Sequence, residues 1–166
     1  MNKKFFIVTA AATLAAIVLV FMVSKALVPQ KKENKWKSFS ATVTKVYDGD
    51  TVKLLSGVKV RLLGIDTPEI HHPDLPVEKY GYKAYYYLKN RILGKTCKIE
   101  YNTSEKYDKY GRLLAYIYLD NVFINGELVE KGFAYIYNRS EGKKSGELRR
   151  LEQEARENNK GLWKKK

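Results

Sequence analysis

Between residues 39 and 65 the chain runs through three short apolar-rich segments separated by glycine turns. Residues 39–46 alternate apolar and polar side chains, the signature of a half-buried strand, because neighbouring side chains on a strand point to opposite faces. Asp48-Gly49 is a hairpin-type turn. Residues 51–55 return as a second strand, Ser56-Gly57 turns again, and residues 58–65 make a third. Three short strands at this spacing form a meander, the opening of a small barrel.

Pro73 and Pro76 then break the chain ahead of residues 77–93, where Tyr80, Ala84, Tyr87, Leu88 and Ile92 fall at helical spacing and Gly94 supplies a stop. Residues 95–101 and 112–119 read as a fourth and a fifth strand, joined by the polar stretch 102–111, expected to be a mobile hairpin loop. Asn125-Gly126 opens a short helix over 127–131 that Gly132 ends. Residues 145–159 form a charged amphipathic helix with Leu148, Leu151 and Ala155 on its inner face; Gly161 ends it and Leu162-Trp163 packs back. Five strands with a helix between the third and fourth is the order of an OB-fold. The expected class is α+β, mainly β: a five-stranded OB-fold barrel with three helices, preceded by an N-terminal hydrophobic helix.

The first 28 residues are compositionally separate. A basic lead, Met1-Asn2-Lys3-Lys4, precedes nineteen residues without a charge, Phe5 to Val23. Roughly 20 apolar residues span a bilayer core, whereas a secretory signal's apolar region runs about 7–15. Length favours an uncleaved anchor, while Ser24-Lys25-Ala26 offers small residues for cleavage after Ala26. Both readings put the remainder outside the cytoplasm, with Lys3 and Lys4 held inside. The expected organisation is a signal peptide or signal-anchor helix over 1–28, a polar linker over 29–37 and one domain over 38–166. The domain is then either membrane-anchored through residues 5–28 or secreted after cleavage near Ala26.

The formal charge is +13, of which three positive charges lie in the first 28 residues. The excess left on the domain favours polyanionic partners and salt-dependent binding. Cys97 is the single cysteine, so no intrachain disulfide forms. It sits in a strand-like run with no histidine near it in sequence; a buried small hydrophobe is expected rather than a thiol nucleophile. A monomer is expected.

The chemistry-bearing residues concentrate in three places. Arg61-Leu62-Leu63-Gly64-Ile65-Asp66-Thr67-Pro68-Glu69 places an arginine, two carboxylates and a turn-forming Thr-Pro within nine residues. Asp48-Gly49-Asp50-Thr51 adds two carboxylates, and Asp108-Lys109-Tyr110-Gly111-Arg112 a second arginine beside a turn. Asp50 and Asp66 end the second and third strand regions, which a small barrel can bring together on one hard cation, with the Thr67 carbonyl nearby. Guanidinium groups bind phosphate oxygens through two parallel bonds and stabilise charge that grows in a transition state, which suits Arg61 and Arg112. His71-His72 and Asp74 allow a transition-metal site in principle, but adjacent histidines in a Pro-rich loop read better as surface.

With these segments in view the chain resembles the staphylococcal nuclease family. The resemblance is carried by Tyr47-Asp48-Gly49-Asp50-Thr51-Val52-Lys53-Leu54, by Arg61 to Glu69, by Val77-Glu78-Lys79-Tyr80-Gly81, and by Asp108 to Arg112 continuing into Leu114-Ala115-Tyr116-Ile117-Tyr118. It runs from about residue 40 to 163, with the segments in the family's order. It implies a calcium ion on Asp50, Asp66 and the Thr67 backbone oxygen, Glu69 as general base, and Arg61 and Arg112 on the phosphate. It further implies endonucleolytic and exonucleolytic cleavage of DNA and RNA leaving 3′-phosphates.

Lys109 is the candidate for a phosphate contact, and Tyr110, Tyr135 and Tyr137 for stacking on or hydrogen bonding to nucleotides. The stretch 132–137 before the tyrosine pair is shorter than its counterpart in the family's pattern. Two other readings use the same domain: an OB-fold module that binds nucleic acid without cutting it, and a membrane-tethered DNA receptor. The first has no need of two arginines beside three carboxylates, which repel a phosphate unless a cation intervenes.

Overall fold

The computed structural model describes residues 35–70, 76, 78–137 and 142–165. The hydrophobic segment 1–28, most of the linker, and His71, His72 and Asp74 lie outside these residues. Among the described residues no helix is long and apolar enough to cross a membrane.

Strand β1 (Trp36–Val46) pairs antiparallel with β2 (Thr51–Leu54), and β2 with β3 (Lys59–Leu62). β5 (Thr96–Asn102) lies antiparallel on the other side of β1 and pairs in turn with β6 (Leu113–Leu119). β3 and β6 run parallel with Val60 opposite Leu113, and this pairing closes the barrel. Closure removes the open edges that would otherwise invite another chain. One long strand serves two neighbours because its pairing with β2 shifts register between Val43 and Lys45, a bulge that bends it. The result is a five-stranded OB-fold barrel, mainly β, with α1 (Gly81–Ile92), α2 (Ile124–Glu130) and α3 (Ser145–Glu157) around it. Two short strands, β7 (Val122–Phe123) and β8 (Tyr135–Ile136), complete it, with β7 extending the sheet beside β6.

The period-two pattern lands where it should: Val43, Val52, Leu54, Val60, Leu62, Ile99 and Ile117 are all buried. Leu88 and Ile92 of α1 and Leu128 and Leu148 of α2 and α3 join the same core. Cys97 is buried, and burial pushes its thiol up from its ordinary value. That is the behaviour of a small hydrophobe, as the sequence suggested.

Several elements depart from expectation, and the contacts that move them are visible. β1 begins at Trp36, inside the stretch expected as linker, because the Trp36 ring stacks on Tyr116 with centroids 5.2 Å apart. The expected third strand, 58–65, is two elements: the chain turns at Gly64 with φ +83, a conformation that favours glycine, and resumes as β4 (Ile65–Asp66). β4 pairs with β8, Asp66 opposite Tyr135, in a small second sheet. α2 starts before Asn125 rather than after Gly126. The buried Asn125 accepts from the Ile117 amide (3.0 Å) and donates to the Leu63 carbonyl (2.9 Å), tying α2 to the turn that follows Arg61. The polar stretch 102–111 is pinned by a Tyr107–Leu113 bridge and by a bond from the Thr103 amide to the Lys35 carbonyl.

Candidate functional site

The β2–β3 register sets Thr51 directly across from Arg61 at the end of the barrel where the Asp48–Asp50 turn lies. Asp50 is buried and engaged on both carboxylate oxygens. Its Oδ2 accepts from the Thr67 amide (2.8 Å) and hydroxyl (2.9 Å), and its Oδ1 accepts from the Thr51 hydroxyl (3.1 Å). Asp48 Oδ1 accepts from the Asp50 amide at 3.0 Å and so holds the turn. Burial, reinforced by the Asp50 charge, raises the Asp48 carboxyl to about 6.

Arg61 joins the carboxylates of Asp50 and Asp66, which lie on either side of it in the sequence. Its Nη1 lies 3.0 Å from Asp50 Oδ2 and its Nη2 2.6 Å from Asp66 Oδ1. Nη1 also donates to the carbonyls of Ile65 (2.9 Å) and Leu62 (3.2 Å). The guanidinium side chain is 14% exposed while that of Asp66 is 55% exposed, so the pair runs from the barrel interior to its rim. Partial burial raises the Asp66 carboxyl, Arg61 pulls it down, and the charges of Asp50, Glu78 and Glu69 push it up again. The net direction is upward. Burial is the largest cause, and the neighbouring carboxylates add to it against the pull of Arg61.

Arg112 is aimed by Asp108. Its Nε donates to Asp108 Oδ2 at 2.7 Å, and Asp108 Oδ1 accepts from the Tyr110 and Arg112 amides, each at 2.9 Å. Arg112 Nη1 reaches the Thr51 hydroxyl at 3.3 Å. One chain of contacts therefore runs Arg112–Thr51–Asp50–Arg61–Asp66. Burial works against the Asp108 charge, but the hydrogen bonds from Arg112 and Tyr110 outweigh it and hold the carboxyl below its ordinary 3.8. A carboxyl depressed in the folded state stabilises fully above its unfolded value, and that stabilisation is lost as pH falls through the folded value. Asp108→Asn is therefore expected to flatten the loss of stability below about pH 4, read as Tm against pH beside the parent chain. An unchanged acid limb would show that Asp108 contributes nothing to it.

Glu69 lies on the loop after Asp66. Its Oε1 accepts from the Ile70 amide (2.9 Å), and the Glu78 carboxylate accepts from the Glu69 amide (3.2 Å). A cavity of about 780 Å³ opens beside this cluster, lined in part by Arg61, Arg112, Lys109, Tyr110 and Tyr137. The Tyr110 ring is 70% exposed, with the Lys109 ammonium 5.0 Å and the Arg112 guanidinium 5.3 Å from its centroid. Tyr135 is not in that lining; its ring meets the Trp163 ring edge-on at 5.3 Å. On a continuing strand Tyr135 and Tyr137 would share a face, but β8 ends at Ile136, and Tyr137, beyond it, bonds through its amide to the Gly64 carbonyl (3.1 Å).

The sequence reading missed Asp108 and Asn125 as positioning residues, along with Thr51 and Glu78. An Asp four residues before an arginine across a turn was a usable signal for the first. Asn125 gave none, since only burial reveals its partners.

Among the described residues no three His, Cys, Asp or Glu side chains gather as a metal-ligand set. The donors available near Arg61 are two aspartates, backbone carbonyls and solvent, all oxygen. That donor chemistry fits a hard cation such as calcium, which takes six to eight oxygens and accepts water among them.

Residues 59–165 match the family described as staphylococcal nuclease homologue. The chain is 40% identical to an uncharacterized protein of Methanocaldococcus jannaschii, over 73% of this chain and 70% of that one. It is 35% identical to a Bacillus subtilis protein named endonuclease YncB (85% of this chain, 69% of that one). It is 37% identical to the thermonuclease of Staphylococcus intermedius (73% and 74%). On the extent of these matches, and with the barrel that carries them, the chain belongs to the staphylococcal nuclease family.

Proposed function

We propose that this protein is an extracytoplasmic, calcium-dependent nuclease that hydrolyses phosphodiester bonds of DNA and RNA and leaves 3′-phosphate ends. The observation that carries the reading is the pairing of Arg61 with both Asp50 and Asp66, linked through Thr51 to Arg112. Two guanidiniums gathered with carboxylates at one barrel end suit the binding of a phosphate through a cation. The names of the Bacillus and Staphylococcus relatives support nuclease chemistry. The extracytoplasmic placement rests on the charge-free segment 5–23 behind its basic lead.

Asp50, Asp66 and the Thr67 carbonyl would hold calcium, which when bound screens the carboxylates from the substrate's charge and polarises the phosphate. The other steps belong to the chain's own residues. Glu69 accepts a proton from the attacking water as its oxygen bonds to phosphorus, in line with the bond to the 5′ oxygen that breaks. Arg61 and Arg112 meet the negative charge that grows on the non-bridging oxygens, and one of them assists the departing 5′ oxygen. Lys109 steers phosphate, while Tyr110 and Tyr137 offer faces or hydroxyls to the nucleotides; Tyr135 would act from the rim.

The test uses the full chain in detergent with single-stranded DNA, in calcium, in magnesium and in chelator. Calcium-supported cleavage is expected, abolished by chelator, with Tm rising with calcium concentration because a ligand that binds only the folded state stabilises it. Tight DNA binding without cleavage in any of the three would leave a binding module and sink the nuclease reading.

A further inference from the structure

Helix α1 has an outer face that the barrel does not use. Its inner residues, Ala84, Leu88 and Ile92, are fully buried. On the opposite side Tyr82 and Tyr86, one turn apart, are 50% and 54% exposed with ring centroids 6.2 Å from each other. Tyr86 also meets the Tyr85 ring edge-on at 5.0 Å, and the apolar surface that these half-exposed rings leave in water is available to a partner. The helix carries no Asp or Glu. Lys83 and Lys89 stand along it and Lys79 in the turn ahead of it, and among the described residues none of the three has an ion-pair partner.

The start of the helix is strained. Tyr80 caps it at φ 73, a left-handed conformation that a residue with a side chain rarely adopts. That backbone sets the Tyr80 ring under two ammonium groups, Lys83 at 4.5 Å and Lys79 at 5.5 Å from its centroid. The same end abuts the site already described. A Cβ at Gly81 would lie 3.0 Å from the Pro68 carbonyl and 3.2 Å from that of Glu69, and one at Gly49 would lie 2.6 Å from the Ala84 methyl. The strip of tyrosines and lysines therefore starts beside the Glu69 loop and leads away from it.

The half-exposed rings of Tyr82 and Tyr86, beside ammonium groups that have no ion-pair partner among the described residues, are the two parts of a single-strand platform: bases stack on rings of any sequence, and the backbone follows the positive charge. We propose that the outer face of α1 (Tyr82, Tyr86, Lys83 and Lys89), with Lys79 and Tyr80 of the turn ahead of it, binds the single-stranded flank of a nucleic-acid substrate as it leaves the site. A helix of twelve residues is roughly 18 Å long, room for a few nucleotides. The strip extends affinity for long strands and adds nothing for a dinucleotide. This rests on the nuclease reading only for where the strand comes from; binding itself does not require cleavage.

The test compares the full chain with Tyr82→Ala/Tyr86→Ala and with Lys79→Gln/Lys83→Gln/Lys89→Gln. Anisotropy of a labelled 16-nucleotide single strand is read in chelator at several salt concentrations, and cleavage of that strand and of a dinucleotide is read in calcium. The aromatic variant is expected to bind the long strand about tenfold or more weaker, since each stacked base contributes roughly 1–3 kcal/mol. The lysine variant is expected to lower the salt slope by about 2, close to 0.7 for each of three phosphates. KM should rise for the long strand with kcat kept, and the dinucleotide should be untouched. Unchanged long-strand affinity in both variants, or equal loss for both lengths, would overturn the proposal. So would unchanged strand binding combined with weaker binding of phosphatidylserine vesicles, which would make the strip a lipid surface. If the parent chain cleaves nothing, the nuclease reading fails while the anisotropy arm still decides the strip.

Discussion

Glu69→Gln is expected to lower turnover on single-stranded DNA about 100- to 10,000-fold, the range a positioned general base contributes. The substitution keeps the size of the side chain and an acceptor oxygen for the Ile70 amide, which Glu69 Oε1 holds at 2.9 Å. The bond from the Glu69 amide to the Glu78 carboxylate involves only the backbone of residue 69 and survives too. The loop should therefore keep its shape, and Tm should stay within a few degrees of the parent, as expected of a change off the core. A base and a group that merely orients water predict different pH behaviour. If Glu69 accepts the proton, the acid limb of kcat/KM against pH disappears in the variant along with most of the rate. A large rate loss with the acid limb intact would make Glu69 a positioning residue, and near-parent turnover would remove it from the mechanism.

Arg61→Lys should cost about 100- to 1,000-fold in kcat, comparable to removing one donor that meets transition-state charge. Charge is conserved, so the loss would come from geometry. Arg61 spends one nitrogen on Asp50 and the Leu62 and Ile65 carbonyls and the other on Asp66. A single ammonium cannot span both carboxylates or present two parallel donors to a phosphate. The measurement is kcat on single-stranded DNA beside far-UV circular dichroism and Tm. Near-normal turnover in a folded variant would refute the assignment of Arg61. A lost fold would instead mark the Asp50–Arg61–Asp66 bridge as structural, and Arg112→Lys, on the more exposed arm of the network, would then carry the test of guanidinium chemistry.

Both expectations use residues that could be named before any fold was seen, because the Arg61–Glu69 segment packs an arginine and two carboxylates into a run short enough to be read directly. Asp50 and Asp66, each a plain strand-end cap if taken alone, are legible as a cation pair from their place beside the arginines. What the chain does not show is that the Thr67 amide and hydroxyl close on Asp50. The tyrosine pair was legible as aromatic and no further: Tyr137 lines the cavity and Tyr135 turns to Trp163.

What the sequence determined by itself was the barrel and its order of elements, since period-two alternation, glycine turns and a helical spacing between Tyr80 and Ile92 are written in neighbouring residues. It also identified the family and the residue types of the site. Tertiary structure alone decided which of those residues meet. Arg112 reaches Thr51 across 61 residues, and β4 finds β8 past α1, β5, β6 and α2. Partners so distant leave no periodicity in the chain; they are brought together by barrel closure, when β3 and β6 pair and the buried Asn125 pins the turn after Arg61.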